Sequence, residues 1–318
     1  MTCFHPIDGW RSKYPNAAGK FPVVFSFGPD CGESIRVPCC KCIGCRLEKK
    51  RVWAVRMMHE SQTQFEIYGK LSSFITLTYS DEYLPMYGSL VKEDVQKFVK
   101  RLRRKIAPEK ISYYMSGEYG TTCKKHEIEK CPECGPLQRP HYHGIIFGFE
   151  FPDKEEVGSR DGETVYTSDL LSDRWEFGSH EIGSVTFESC AYVAGYIVDK
   201  IDGDQAWEHY ERHIIETDQL VQIAPEFGVM SNGLGEDWFT YYWDDCYPED
   251  KCPVPGRYAV GKPPRYYDKL MERKDPVLLD SVKEERVVRF KEREKEGPSL
   301  ASREKCAKAR VDRKRRSL

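Results

Sequence analysis

Three short runs of the chain are rich in β-branched and aromatic residues, and three longer runs carry apolar residues every three to four positions. SSFITLTYS (72–80), ISYYMSGEYG (111–120) and HYHGIIFGFE (141–150) read as strands, and GSVTFES (183–189) as a candidate fourth. From Arg46 to about Tyr68, Leu47, Val52, Val55, Met57 and Met58 can share one side of a helix. SLVKEDVQKFVKRLRRKI (89–106) is the clearest amphipathic helix: Val91, Val95, Phe98, Val99 and Leu102 line one side, and Ser89 can cap it. CAYVAGYIVDKI (190–201) is a third helix. Residues 1–45, rich in Cys, Pro and Gly, read as irregular, 121–138 as a Cys-rich insertion and 153–180 as a polar connection.

Strand, helix, strand, insertion, strand, helix is not the alternation of a doubly wound sheet. It predicts an α+β fold, a central antiparallel β-sheet flanked by helices. The expected division is a Cys-rich segment over 1–45, a core over 46–202, an accessory aromatic region over 203–280 and a charged, basic tail over 281–318. Within the tail, Ser299 to Leu318 is strongly basic and reads either as a solvated end or as a phosphate contact.

The 318 residues carry a net charge of −2, which by itself announces no polyanionic partner. No apolar run approaches the roughly 20 residues that span a bilayer. The first residues lack the apolar stretch of a signal peptide, so a cytosolic protein with no membrane partner is expected. Thirteen cysteines then point to reduced thiols or metal ligands rather than to a disulfide framework.

Histidine is scarce, at eight residues, yet His141 and His143 stand one residue apart at the mouth of a strand. They point the same way, about 7 Å apart along the chain, while Tyr142 points to the other face. Gly144 is expected to leave room beside them. Glu118, near the end of the preceding strand, would lie alongside in an antiparallel pairing. Two imidazoles and a carboxylate leave positions open on a divalent cation, which can polarise a phosphate. On the last helix Tyr192, Tyr196 and Lys200 fall at i, i+4 and i+8, along one stripe, with the tyrosines roughly 6 Å apart. Tyrosine can attack a DNA phosphate, and a nearby lysine can offset the charge that builds there. Gly195, inside that helix, hints at close approach by another group.

FITLTY (74–79), RPHYHGIIFG (139–148) and YVAGYIVDK (192–200), in this order, resemble the three motifs of the HUH endonuclease superfamily of rolling-circle replication initiators. The likeness is closest to the initiators of microviruses, in particular the gokushovirus branch, and PCCKCIGCRLEKKRVWAVRMMHE (38–60), GVMSNGLGEDW (228–238) and PPRYYDKL (263–270) share it. The resemblance implies that His141 and His143 hold Mg²⁺ or Mn²⁺ and that Tyr192 and Tyr196 alternate as nucleophiles. It implies nicking of origin DNA, duplex and single-stranded, followed by strand transfer that circularises the displaced strand. It further implies work in the cytoplasm of an infected bacterium beside host helicase, single-strand-binding protein and DNA polymerase.

Two cysteine clusters lie outside these motifs. Cys123, His126, Cys131 and Cys134 have the paired spacing of a tetrahedral Zn²⁺ site or form a solvated loop. Cys39, Cys42 and Cys45, with Cys3, form another candidate zinc set or buried reduced thiols. Arg101, Arg103, Arg104 and Lys105 on helix 89–106 are candidate DNA contacts or a solvated face, and Arg257, Lys262, Arg265, Tyr266 and Tyr267 could stack on single-stranded bases. The competing functional readings are a non-catalytic, zinc-stabilised DNA-binding protein and a plasmid initiator or transposase of the same superfamily.

Overall fold

The computed structural model describes residues 3–17, 19–120, 122–123, 128–129, 138–160, 162–199, 204–214, 217–257 and 261–316. The chain forms two compact units: Met1–Lys49 with Asp280–Leu318, and Lys50–Leu279.

The first unit begins with an antiparallel sheet of β1 (Ile7–Ser12), β2 (Val23–Val24) and β3 (Cys31–Val37), with β1 central. This corrects the expectation of an irregular segment. These strands are short and mostly exposed, so they carry no alternating apolar signal. Helix α1 (Ile43–Glu66) follows, beginning in this unit and continuing into the second.

The second unit is built on β4 (Ser73–Thr78), helix α2 (Lys92–Ile106) and β5 (Ser112–Tyr119). After two two-residue strands, β6 (Thr122–Cys123) and β7 (Ile128–Glu129), comes β8 (Pro140–Phe147). The 153–180 stretch is not simply a connection. It contains the hairpin β9 (Glu155–Arg160) and β10 (Glu163–Thr167) and the short helix α3 (Asp169–Ser172). The fourth strand, β11, lies at His180–Gly183, earlier than expected, and helix α4 spans Phe187–Asp199. TFES (186–189) is a helix start rather than a strand: Thr186 Oγ1 accepts the Ser189 N–H at 3.1 Å, and Ser189 Oγ accepts the Thr186 N–H at 2.8 Å. This reciprocal capping satisfies backbone donors that the first helical turn cannot.

Beyond residue 202 the chain holds α5 (Asp204–His209), the hairpin β12 (Glu211–Ile214) and β13 (Gln219–Gln222), β14 (Phe227–Met230) and α6 (Glu236–Tyr242). Helices α7 (Arg265–Lys274), α8 (Pro276–Glu296) and α9 (Leu300–Arg316) complete it, so the basic 299–316 stretch is largely helical. The main sheet is seven-stranded, in the order β14-β5-β8-β4-β11-β10-β9, with every adjacent pair antiparallel. The α+β class expected from the sequence is what the chain adopts.

Alternation along the strands divides this sheet into two faces. On one, Ile75, Leu77, Met115, Tyr142 and Ile146 pack with Val95, Phe98, Val99 and Leu102 of α2 and with Trp175. The other face carries Thr76, Glu118, His141 and His143. Ser89 does not cap α2: the helix starts after Val91, which has no side-chain cap, and the Ser89 hydroxyl instead accepts the Ala224 N–H at 3.0 Å. The start of α2 is held by Tyr142, whose hydroxyl accepts the Val91 N–H at 2.9 Å and lies 2.8 Å from the Tyr79 hydroxyl. Tyr79 in turn donates to Asp94 at 2.8 Å.

Tyr142→Phe takes the partner from both the half-buried Val91 N–H and the Val91 carbonyl, while the Tyr79 hydroxyl keeps only Asp94. It is expected to cost about 1–3 kcal/mol of stability, read as a lowered midpoint in urea unfolding of the full chain. An unchanged midpoint would show this network to be energetically idle.

Candidate active site

The site is assembled by register. Strand β8 pairs on one side with β5, setting Glu118 opposite His141 and Ser116 opposite His143. On its other side it pairs with β4, setting Thr76 opposite His143 and Thr78 opposite His141. Because each strand alternates faces, Glu118, His141 and His143 emerge on the face turned away from α2. Glu118 Oε1 lies 2.5 Å from His141 Nε2 and 2.9 Å from His143 Nε2. The ligand-capable atoms of all three lie within 4.8 Å of one another. His143 is 5% exposed and Glu118 7%.

Burial pushes the Glu118 carboxyl up, but the two imidazoles that hydrogen-bond it prevail and hold it below its ordinary value. Burial likewise works against a charged His141, yet the Glu118 carboxylate overcomes it and raises the imidazole's pKa. At the deeper His143, burial wins with help from the neighbouring His141 charge, and the pKa falls. The directions favour an ionised carboxylate and a neutral His143, the forms that bind metal, while a protonated His141 must give up its proton to join them.

The ring orientations suit that use. His141 Nδ1 lies 3.2 Å from the Arg139 carbonyl, so a proton donated there leaves a lone pair on Nε2. His143 Nδ1 lies 3.0 Å from Thr76 Oγ1, which likewise turns Nε2 toward Glu118. Ligands about 2.1 Å from an octahedral cation sit roughly 3 Å apart, close to the spacings of Glu118 Oε1 from both imidazoles. The donor set could hold a divalent metal ion, with Thr76 a supporting residue that sequence reasoning missed.

Gly144 does not open space beside the histidines. Its missing side chain lies on the α2 face, where a Cβ would fall 1.9 Å from Met115 Sδ. The glycine serves core packing.

Helix α4 brings Tyr192 over the histidines. Its ring centre is 5.0 Å from that of His143, edge to face, and 6.4 Å from that of Phe74. Val193 and Ala194 are buried while Tyr192 is 47% exposed, so the phenol faces both the cluster and solvent. Tyr196 follows four residues along α4, its side chain outside the described residues, as is Lys200. The group that approaches Gly195 is Lys50 of α1: a Cβ there would lie 2.9 Å from Lys50 Nζ. Lys50 sits in a run of charges with nothing to single it out in the sequence.

Other candidates are placed elsewhere. Helix α2 covers the opposite sheet face, and two of its cations have protein partners: Arg101 pairs with Glu176 at 2.5 Å, and Arg103 donates to the Ile111 carbonyl at 3.0 Å. Arg104 and Lys105 are exposed on the same helix. Tyr267 is fully buried, stacked with Trp238 and hydrogen-bonded to His59 at 2.8 Å, so it offers no surface to a base. Cys3, Cys39, Cys42 and Cys45 come together as a second group able to hold a metal. His126, Cys131 and Cys134 lie outside the described residues, as does the Cys123 side chain. Among the described residues, no helix is long and apolar enough to cross a membrane.

A family model for replication-associated proteins of the ORF2 type matches residues 72–201, the span that holds β4, β5, β8 and α4. The replication-associated protein ORF2 of Spiroplasma virus 4 is 33% identical over 79% of this chain and 72% of its own length. The replication-associated protein VP4 of Bdellovibrio phage phiMH2K is 32% identical over 87% of this chain and 79% of its own. The replication-associated protein ORF4 of Chlamydia phage 1 is 26% identical over 76% of this chain and 54% of its own. No solved structure matches. With two relatives above 30% identity and most of each chain shared, this chain belongs to the family of microvirus replication-associated proteins.

Proposed function

We propose that the protein initiates rolling-circle replication by nicking and rejoining origin DNA through a phosphotyrosine. The observation that carries this reading is the half-exposed Tyr192 ring, 5.0 Å from the ring of buried His143 in a cluster of two histidines and one carboxylate. Mg²⁺ or Mn²⁺ held by Glu118, His141 and His143 would draw charge from a phosphate oxygen. Thr76 and the Arg139 carbonyl keep the two imidazoles turned for that role.

In the proposed step the Tyr192 hydroxyl loses its proton to solvent and its oxygen attacks phosphorus. The bond from phosphorus to the 3′ oxygen breaks, and that oxygen takes up a proton. The products are a 5′-phosphotyrosine and a free 3′-OH. One phosphoester replaces another, so rejoining requires only attack by a 3′-OH and no nucleotide cofactor. Tyr196, one helical turn along α4, would serve the second transfer that closes the displaced strand, with Lys200 offsetting phosphate charge. The substrate is origin DNA in the cytoplasm of an infected bacterium. Host helicase, single-strand-binding protein and polymerase are the partners the resemblance brings.

Incubation of the full chain with a single-stranded origin oligonucleotide and Mn²⁺ is expected to give a covalent adduct that survives a denaturing gel. Tyr192→Phe with Tyr196→Phe should abolish it, and a persisting adduct would refute the nucleophile assignment. His141→Ala should slow cleavage by about a hundredfold or more, the several kcal/mol that a metal supplies to charge stabilisation. DNA binding with no cleavage by the unaltered chain would favour a non-catalytic binding protein.

Glu118→Gln keeps the shape of the side chain and removes its charge. Calorimetric titration with Mn²⁺ is expected to show a Kd raised roughly tenfold or more. Wild-type affinity in this variant would remove Glu118 from the ligand set.

A further inference from the structure

The unit formed by Met1–Lys49 and Asp280–Leu318 has almost no apolar core. Among its described hydrophobic residues only Cys3 and Val282 are buried. Ile7, Tyr14, Phe21, Phe25 and Phe27 stand largely exposed, and the strands beside them are two to seven residues long. Apolar burial is too sparse there to offset the entropy of ordering the chain. Small units in this position are commonly held by a disulfide or a metal. The described cysteines are free thiols, which leaves the second route.

Four of those thiols converge. Cys3 Sγ lies 3.5 Å from Cys39 Sγ and 3.8 Å from Cys42 Sγ, and Cys39 Sγ lies 4.0 Å from Cys45 Sγ. Zinc binds thiolates tetrahedrally at about 2.3 Å, which sets sulfurs about 3.8 Å apart. The observed spacings bracket that edge, and they are too long for disulfide bonds at about 2.05 Å. Backbone N–H groups already point at the sulfurs: Phe4 donates to Cys42 Sγ, Cys39 to Cys3 Sγ and Cys42 to Cys39 Sγ, each at 3.3 Å. Donors of this kind stabilise anionic sulfur. Cys40 lies between two of the converging residues, yet it is exposed and takes φ 61°, a left-handed turn that keeps it out of the cluster.

We infer that Cys3, Cys39, Cys42 and Cys45 hold a structural Zn²⁺ as four thiolates, and that this ion takes the place of an apolar core in the N-terminal unit. Each thiol gives its proton to solvent on binding. The ion then ties residue 3 to the start of α1 and closes the stretch that carries β1, β2 and β3. Next to this tie His5 Nε2 lies 2.8 Å from Glu304 of α9, so the same short segment also engages the C-terminal part of the unit. The site shares no residue with the histidine cluster, and its ion is distinct from the one proposed there.

The test uses the full chain with Co²⁺ exchanged for zinc, read by thiolate-to-cobalt charge-transfer absorption. Cys39→Ser and Cys42→Ser should each remove one equivalent of thiolate-bound cobalt. Cys131→Ser, Cys134→Ser and His141→Ala should leave that equivalent in place. Unchanged cobalt in Cys39→Ser, or its loss only in Cys131→Ser, overturns the assignment. A second measurement needs no variant: alkylation of the zinc-loaded wild type followed by peptide mapping. Cys3, Cys39, Cys42 and Cys45 should be protected until a chelator is added, and hydrogen exchange should then rise across residues 7–37 while β4, β5 and β8 stay protected. Equal labelling with and without chelator, or recovery of these cysteines as disulfides, overturns the proposal.

Discussion

The pairing of β5 with β8 in a single register sets Glu118 opposite His141, and the chemistry of the site depends on it. Side chains alternate with period two, so a slip of one residue would send the carboxylate to the α2 face. A slip of two would keep the face but move Glu118 about 7 Å along the strand. What guards the register lies on the other side of the sheet. Tyr142, between the two histidines, is buried against Trp175 and bonded to the start of α2. The HYH triplet thus performs two tasks by alternation: its imidazoles build the site, and its phenol locks the strand that presents them.

The same arrangement bears an electrostatic load. Glu118 and His143 are nearly inaccessible, and burying ionisable groups without partners is costly. They meet that cost with each other and with His141, Thr76 and the Arg139 carbonyl. Tyr192 stands at the boundary between this dry cluster and solvent, where a bulky polyanion can reach it. Positioning on rigid strands and access on a helix are divided between two elements.

Much of this was legible in the sequence because it is local. Period-two and helical spacing identified β4, β5, β8, α2 and α4 and put the two histidines on one face. Adjacency of successive strands was enough to nominate Glu118. Two of the failures share a cause: they turn on which distant residue fills a space. Gly144 reads as room for a site, but Met115 occupies that room. Tyr267 reads as a base-stacking ring, but Trp238 and His59 enclose it. The hairpin of β9 and β10 and the sheet of β1 to β3 are largely exposed, so no apolar alternation marks them. Thr76 and Lys50 matter through partners 67 and 145 positions away, separations at which sequence spacing carries no signal.

Between the strands that carry Glu118 and His141, the ladder continues one step past their ends. Gly120 donates to the Arg139 carbonyl at 3.0 Å, and Gln138 donates back to Gly120 at 2.8 Å. These two bonds close the ladder just beyond Glu118 and His141, so the register at the cluster is fixed before the chain leaves the strands. Lengthening a connection between two paired strand ends is inexpensive, about 0.6 kcal/mol for each doubling. The connection from β5 to β8 is therefore a permissive insertion point, where related phages could gain or shed sequence next to the histidine cluster without shifting its register.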